Sequence, residues 1–466
     1  MTRAMPLALD LSFTHTDGAW RNPGSWVGYP YYTQPEIWEE VARTAERGAV
    51  DMIFFGDGVG IPDTWQGSMD AAVRWGVQWP RHDMSALIPI MARATKHVGF
   101  CVTFSPTYMH PYYVARHVAS LDHVSGGRMA LNLITSARRS DAANYGFDEL
   151  VAHAERYEIA DEFIDVCHGL WSSVERDAVV LDPETGRFAD PAKVHYLDHD
   201  GPHFKVRGPL NMVPCPQYHP LIVQAGASDR GVRSFARNAD LLFAVGASAA
   251  AIRDLRERLN AELQEVGREP DEIPILWACT PTVGESREIA EARYQAVSDL
   301  LPREVGAIFL SHKSGFDFST LSMPMALGKV VEKVEAAEGS TAYMHKMLAT
   351  EGPEASVTMD DLAALAIDFD LSSGPPLVGT HEEVADILTD LHHQSGPNVG
   401  FMLSARHFMP QIVHEFVDRV IPRLQANGVR PIGYRGSTLR DNFGLRERFP
   451  GDVRRPPDRR TKPLFS

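Results

Sequence analysis

Asp57 stands between two glycines at the end of an apolar run, Asp51-Met52-Ile53-Phe54-Phe55-Gly56-Asp57-Gly58. A carboxylate delivered by a buried strand into a glycine turn can face a ligand. The same spacing also suits a turn aspartate bonded to its own backbone. Thr103 closes the next apolar run, Val98–Thr103, where a hydroxyl alone is an ordinary structural residue. Gln224-Ala225-Gly226-Ala227-Ser228-Asp229-Arg230-Gly231 carries more information. A strand there runs through a small-residue turn straight into a helical pattern, so free N–H groups, the helix dipole and the Ser228 hydroxyl form an anion site. Ser228 as a plain helix cap is compatible with that reading. His153 and Tyr157 are four apart and share one helix face, which suits either a ligand contact or surface packing. The chain has no HExxH, no GxSxG and no Walker loop, so zinc hydrolysis, α/β-hydrolase chemistry and nucleotide hydrolysis lack their usual signatures.

These residues need elements to hold them. Eight strand-like apolar runs are visible: 7–13, 52–56, 98–103, 129–134, 220–224, 240–245, 273–280 and 400–404. Helical spacing is clearest over 35–48, 84–97, 110–125, 153–173, 229–238, 249–266, 286–301, 382–393 and 411–427. Strands that are apolar throughout and alternate with helices predict a parallel sheet covered by helices. Eight of them predict an α/β class (β/α)8 barrel, and no GxGxxG follows any strand as an open dinucleotide-binding sheet would require. Four stretches exceed ordinary loops: 57–83, 136–152, 174–219 and 302–376. Helical spacing at 327–337 and 359–367 marks the last of them as a structured insertion before the final strand.

Composition bounds the rest. With 44% hydrophobic and 23% charged residues the chain reads as a water-soluble globular protein, and no apolar run reaches the roughly 20 residues of a membrane span. The N-terminus lacks a signal-peptide pattern, which predicts a cytoplasmic location. A net charge of −16 argues against nucleic-acid binding. Residues 428–466 run the other way, with ten Lys/Arg against four Asp/Glu, and read as an arm packed on the body or on a neighbouring subunit. Cys101, Cys167, Cys215 and Cys279 show no CxxC pairing and read as buried reduced thiols.

Longer stretches carry a family likeness. Trp38-x-x-Val41-Ala42-Arg43-Thr44-Ala45-Glu46-Arg47-Gly48 leads into Phe54-Phe55-Gly56-Asp57. HPYYVARHVASLDHVSGGR, NLITS, DAANYG, HAERYEIADEF, RFADPAKVHYLDHDGPHFKVRGPLNMVPCPQ, QAGASDRGVRSFA and YRGSTLRDNFGL follow in order. In these the chain resembles the flavin-dependent monooxygenases of the bacterial-luciferase superfamily, in the nitrilotriacetate, dibenzothiophene-sulfone and pristinamycin-synthase branch. The likeness covers nearly the whole chain and implies a single barrel domain over residues 1–466.

The resemblance also implies a reaction and a site. A separate NAD(P)H:FMN reductase would supply reduced FMN, which with dioxygen would form a flavin hydroperoxide and oxygenate a small organic substrate. That substrate would be aromatic or would carry sulfur, nitrogen or halogen. Carried over by position, Asp57 and Thr103 would flank the flavin ring, Tyr157 and Ser228 would hold its phosphate, and His153 would connect the two ends. His15 and Trp20 would line the substrate side, and His312 would stand near the flavin; Asp57, His312 and His15 are the catalytic candidates. Aromatics at Trp20, Trp26, Tyr29, Tyr31, Tyr32, Trp65, Trp75 and Trp79 suit a substrate lid or a subunit interface equally. No metal is implied, and a homodimer or homotetramer is expected. One departure stands out: where alkane-oxidising relatives carry a histidine after the fourth strand this chain has Ala137, then Arg138-Arg139. The alternatives are a deazaflavin-dependent oxidoreductase and a catalytically silent flavin-binding protein on the same barrel.

Overall fold

The structure is a computed structural model that describes residues 4–12, 19–21, 34–136, 138–246, 248–337, 339–341, 344–372, 377–404 and 410–446. Eight strands close into a barrel in chain order: β1 (Leu7–Asp10), β2 (Met52–Phe55), β3 (Gly99–Phe104), β4 (Met129–Leu133), β5 (Leu221–Ala225), β6 (Leu241–Ala244), β7 (Ile275–Cys279) and β8 (Val399–Ser404). Every pair is parallel, including the closing pair of β1 with β8, where Leu7 stands opposite Phe401. Each strand coincides with one of the eight runs read from the sequence. They are nearly continuous in apolar residues because one side of each fills the barrel and the other meets helices.

The inward residues separate into layers. Ala8, Met52, Phe54, Cys101, Ala130, Val223, Leu276 and Met402 pack inside the barrel as one buried cluster. Above them, at the carboxyl ends, the inward positions turn polar at Asp10, Thr103, Asn132 and Ser404. Helices Pro35–Arg47, Ile88–Ala94, Pro111–Ser125, His153–Trp171, Asp229–Asn238, Ala249–Glu265 and His381–Gln394 cover the outside, and their apolar sides join the larger core.

The opposite mouth is stoppered. Helix Leu439–Phe443 puts Leu439 and Phe443 into the interior cluster, and Leu439 N–H donates to the Gly127 carbonyl, 2.9 Å. Two buried ion pairs hold this segment: Arg430 to Asp51 at 2.7 Å and Arg440 to Asp240 at 3.1 Å. The described part of the basic C-terminal segment therefore spends arginines on the start of β2 and the entry to β6.

The long stretch between β7 and β8 has its own core. A small parallel pair, Pro281–Gly284 with Leu377–Thr380, brings its two ends side by side. Between them helices Arg303–Ser314, Leu327–Ala336 and Met359–Ser372 bury Val305, Phe309, Val330, Leu362 and Ile367 together. Ala71, Ala72 and Val77 of the 57–83 stretch join this second core, with Trp65 and Trp75 packed against it. Those two tryptophans are thus packing residues. Trp20 and Trp79 stay exposed, while Trp26, Tyr29, Tyr31 and Tyr32 lie outside the described residues. The four cysteines are free and buried, and burial pushes each thiol up. Among the described residues no helix is long and apolar enough to cross a membrane.

Candidate active site

The carboxyl ends of β2, β3, β4 and β5 form one rim, about 14 Å across at the usual strand spacing. A cavity opens at its β2–β4 end, lined by Asp57, Gly58, Thr103, Tyr108, Ile134 and Tyr145 among others. Thr103 and Asn132, directly opposite in the β3–β4 register, form its floor. The Thr103 hydroxyl donates to the Phe55 carbonyl, 2.8 Å, and accepts from Asn132 Nδ2, 2.9 Å. Its proton is therefore committed to the barrel. Asn132 Oδ1 is buried and carries no hydrogen bond among the described residues. It is the open acceptor of this floor, and sequence reasoning gave it no role.

Asp57 follows β2 as expected. Its Oδ1 accepts the Gly58 N–H at 2.7 Å and faces Arg81 Nη1 at 3.7 Å. The turn reading is realised, and Asp57 also lines the cavity. Burial raises the Asp57 carboxyl, and the Arg81 charge partly opposes it. Helix Arg139–Asn144 is bound to the same turn, since Asp141 Oδ1 accepts the Gly60 N–H at 2.7 Å and Asn144 Nδ2 donates to the Val59 carbonyl at 3.0 Å. Arg156 then ties the end of β4 to the neighbouring helix by donating to the Ser136 carbonyl, 3.1 Å.

The β5 end has a different chemistry. Gly226, at φ 136°, turns the chain into helix Asp229–Asn238, a conformation open to glycine. Ser228 caps that helix, accepting the Gly231 N–H at 3.2 Å. Tyr157 reaches the same point from helix His153–Trp171. A β-carbon placed on Gly231 would lie 3.0 Å from Ser228 Oγ and 3.1 Å from the Tyr157 hydroxyl. The two hydroxyls, the helix start and the edge of the Phe235 ring, 3.0 Å from the same point, converge closely around Gly231. The Tyr157 ring is fixed below by Arg230, whose guanidinium lies 5.1 Å from the ring centre and pairs with Asp161 at 2.8 Å. His153 meets the Tyr157 ring edge-on at 5.2 Å.

So Asp57 and Thr103 come together at one end of the rim, and His153, Tyr157 and Ser228 at the other. His312 sits apart, in helix Arg303–Ser314, buried, with Nε2 lacking a hydrogen bond among the described residues. Burial, reinforced by the charges of Arg138, Lys313 and Arg81, holds its imidazole well below the usual histidine range. His15 and Ala137 lie outside the described residues. Sequence reasoning also missed Arg81, which arrives from the far end of the 57–83 stretch.

The family model described as "Luciferase-like monooxygenase" matches residues 20–398. This chain belongs to the luciferase-like monooxygenases. It is 36% identical to the dibenzothiophene-sulfone monooxygenase of Rhodococcus erythropolis, over 93% of this chain and 94% of that protein. To nitrilotriacetate monooxygenase component A of Aminobacter aminovorans it is 33% identical, covering 92% and 93%. Among solved structures it is similar to a riboflavin lyase with modified FMN and riboflavin, at TM-score 0.82 and 28% identity, covering 96% and 99%. The barrel is shared with that solved structure, which is described with a modified FMN.

Proposed function

We propose that this luciferase-like monooxygenase is the oxygenase of a two-component system that takes reduced FMN from a separate NAD(P)H:FMN reductase. The observation that carries the reading is the convergence of Ser228 Oγ and the Tyr157 hydroxyl over Gly231, on the same rim as Asp57 and Thr103. Two hydroxyls and a helix start suit a terminal phosphate, which FMN has and riboflavin lacks. The buried, unpartnered Oδ1 of Asn132 suits an N–H of the ring at the other end. A relative named as component A, and the lack of a nucleotide fingerprint in this sequence, support a separate reductase.

Bound reduced FMN supplies two electrons and the place where dioxygen reacts, so that one oxygen atom enters the substrate and the other leaves as water. The protein's part is to position and to shield. Ser228, Tyr157 and His153 hold the phosphate end, while Asp57, Thr103 and Asn132 orient the ring. Asp57 lines the cavity, its Oδ2 has no hydrogen bond among the described residues, and burial raises its carboxyl against the opposing charge of Arg81. Phe104, Met109 and Ile134 keep the cavity wall dry, and Tyr108 stacks on Tyr145 at 5.1 Å beside it. Water exclusion favours oxygen transfer over release of peroxide. An apolar, aromatic wall suits a small aromatic or heteroatom-bearing substrate.

Oxygen uptake decides the matter. The purified protein with NAD(P)H and oxidised FMN should not turn over, and adding an FMN reductase should start substrate-dependent uptake. Product formation without the reductase would overturn the two-component reading. Turnover with a reduced deazaflavin but not with reduced FMN would overturn the cofactor.

A further inference from the structure

Ser228 and Tyr157 reach Gly231 from two different helices, so their meeting depends on how those helices are set against each other. One carboxylate spans the seam. Asp161 lies one turn beyond Tyr157 in helix His153–Trp171, and its side chain is only 13% exposed. Its Oδ1 accepts from the Ser234 hydroxyl at 2.6 Å and from Asn238 Nδ2 at 2.7 Å. Its Oδ2 accepts from Arg230 Nη2 at 2.8 Å. Arg230, Ser234 and Asn238 are spaced four apart, so a whole face of helix Asp229–Asn238 is bonded to this one group. Ser234 and Asn238 are buried, and Gln224 Nε2 of β5 donates to the same Ser234 hydroxyl at 3.4 Å. The apolar part of the packing, with Phe163, Val232 and Phe235 in the core, is non-directional. Charge-assisted hydrogen bonds have set lengths and angles, so Asp161 fixes the slide and rotation of one helix against the other. Arg237 and Asp165 also pair across this seam, but with side chains 39% and 45% exposed, where such a pair contributes little.

We infer that Asp161 is the positioning residue of the phosphate end, holding the Ser228 and Tyr157 hydroxyls together and so setting the preference for a phosphorylated flavin. The inference rests on the FMN reading above and adds a residue that acts through those two hydroxyls. The path is short. Arg230 carries the hold of Asp161 to the Tyr157 ring, 5.1 Å from its guanidinium. It also stands two residues after Ser228, in the first turn of the helix that Ser228 caps. A small rotation of that helix would carry the Ser228 hydroxyl and the first N–H groups away from Tyr157 together. Riboflavin ends in a hydroxyl where FMN has its phosphate, so it draws little on this convergence. Arg230 itself is a poor cation for the phosphate, because Asp161 already answers its charge and the Tyr157 ring covers its face.

The test is a fluorescence titration of the full chain with FMN and, in parallel, with riboflavin. Asp161→Ala should weaken FMN binding about tenfold while riboflavin stays within about twofold. Asp161→Asn keeps an acceptor for Ser234 and Asn238 and should recover part of that loss. Ser234→Ala removes one of the three bonds and should weaken FMN about threefold, which carries the test if Asp161→Ala does not fold. Asp165→Ala cuts the exposed pair of the same seam and should leave the FMN-to-riboflavin ratio at its wild-type value. Equal weakening of both flavins in Asp161→Ala would make Asp161 a support of the fold only, and would overturn the inference. An unchanged ratio in folded Asp161→Ala or in Ser234→Ala would overturn it too, as would an equally large loss in Asp165→Ala. Tighter FMN binding in Asp161→Ala would point to Arg230 released onto the phosphate, again the opposite of what is inferred. Wild-type protein that binds FMN no better than riboflavin strikes the FMN reading itself, whereas a wild-type preference that survives these substitutions strikes only this inference.

Discussion

Asn132 Nδ2 donates to the Thr103 hydroxyl at 2.9 Å, and this bond fixes the amide so that Oδ1 is left as the buried open acceptor. The two residues therefore have unlike roles. In Asn132→Ala the Thr103–Phe55 bond survives and an unsatisfied oxygen disappears, so stability should change little. FMN affinity should fall about tenfold, the worth of one hydrogen bond of about 1.4 kcal/mol. Thr103→Val leaves the Phe55 carbonyl and Asn132 Nδ2 unpaired, and should lower unfolding free energy by about 1–3 kcal/mol. Flavin titration and urea denaturation of both variants separate the two effects.

At the phosphate end, Ser228→Ala removes one hydroxyl and leaves Tyr157 and the helix start in place. FMN affinity should weaken roughly ten- to a hundredfold, the range of a charge-assisted hydrogen bond. Riboflavin affinity should be unaltered, since it offers no phosphate. Equal weakening for both flavins would mean that Ser228 acts only as the helix cap.

Asp57→Ala should separate binding from chemistry. With saturating reduced FMN we expect less product per oxygen consumed and more free hydrogen peroxide, because the variant opens the ring end to water and removes the carboxylate facing Arg81. Full coupling at excess FMN would reduce Asp57 to its turn-forming bond with Gly58.

Asp122 gives a pH signature outside the site. Its Oδ1 accepts from Met129 N–H at 3.1 Å and Gln217 Nε2 at 2.7 Å, while Oδ2 is buried without a partner among the described residues. Burial raises its pKa from 3.8 to about 6. The folded state then holds the proton more tightly than the unfolded chain, so this group's stabilisation is full below pH 3.8 and is lost as pH rises through 6. Asp122→Asn should remove that loss, which is of order 3 kcal/mol at its largest. Urea unfolding of wild type and variant at pH 4 and pH 7 measures it, and parallel curves would show that Asp122 does not titrate there.

The barrel was readable because each strand is buried on both sides, so Val98–Thr103 or Ile273–Thr280 appear as unbroken apolar runs. No element was expected at Arg303–Ser314, within the structured insertion. Its Val305-Gly306-Ala307-Ile308-Phe309-Leu310 stretch is buried nearly all round and shows no helical period, so the helix was not anticipated. The expected helix over 411–427 forms, with a wide π segment at Phe416–Val420 between its α turns, just before Pro422, which cannot donate to the preceding turn. In the site, Asp57 and Ser228 were visible because glycines mark strand ends. Asn132 was not, as one amide inside an apolar strand gives no hint of facing the barrel axis.

The closing pair of the barrel has a consequence for how the chain comes to exist. Leu7 lies beside Phe401, and Arg430 locks onto Asp51. During synthesis the first strand thus waits for a neighbour nearly four hundred residues later, with one edge of β1 bare throughout, since β2 is covered by β1 and β3. Such edges recruit other strands. The polypeptide is therefore most exposed to aggregation late in translation, and lowering the elongation rate should raise, not relieve, its demand for chaperones.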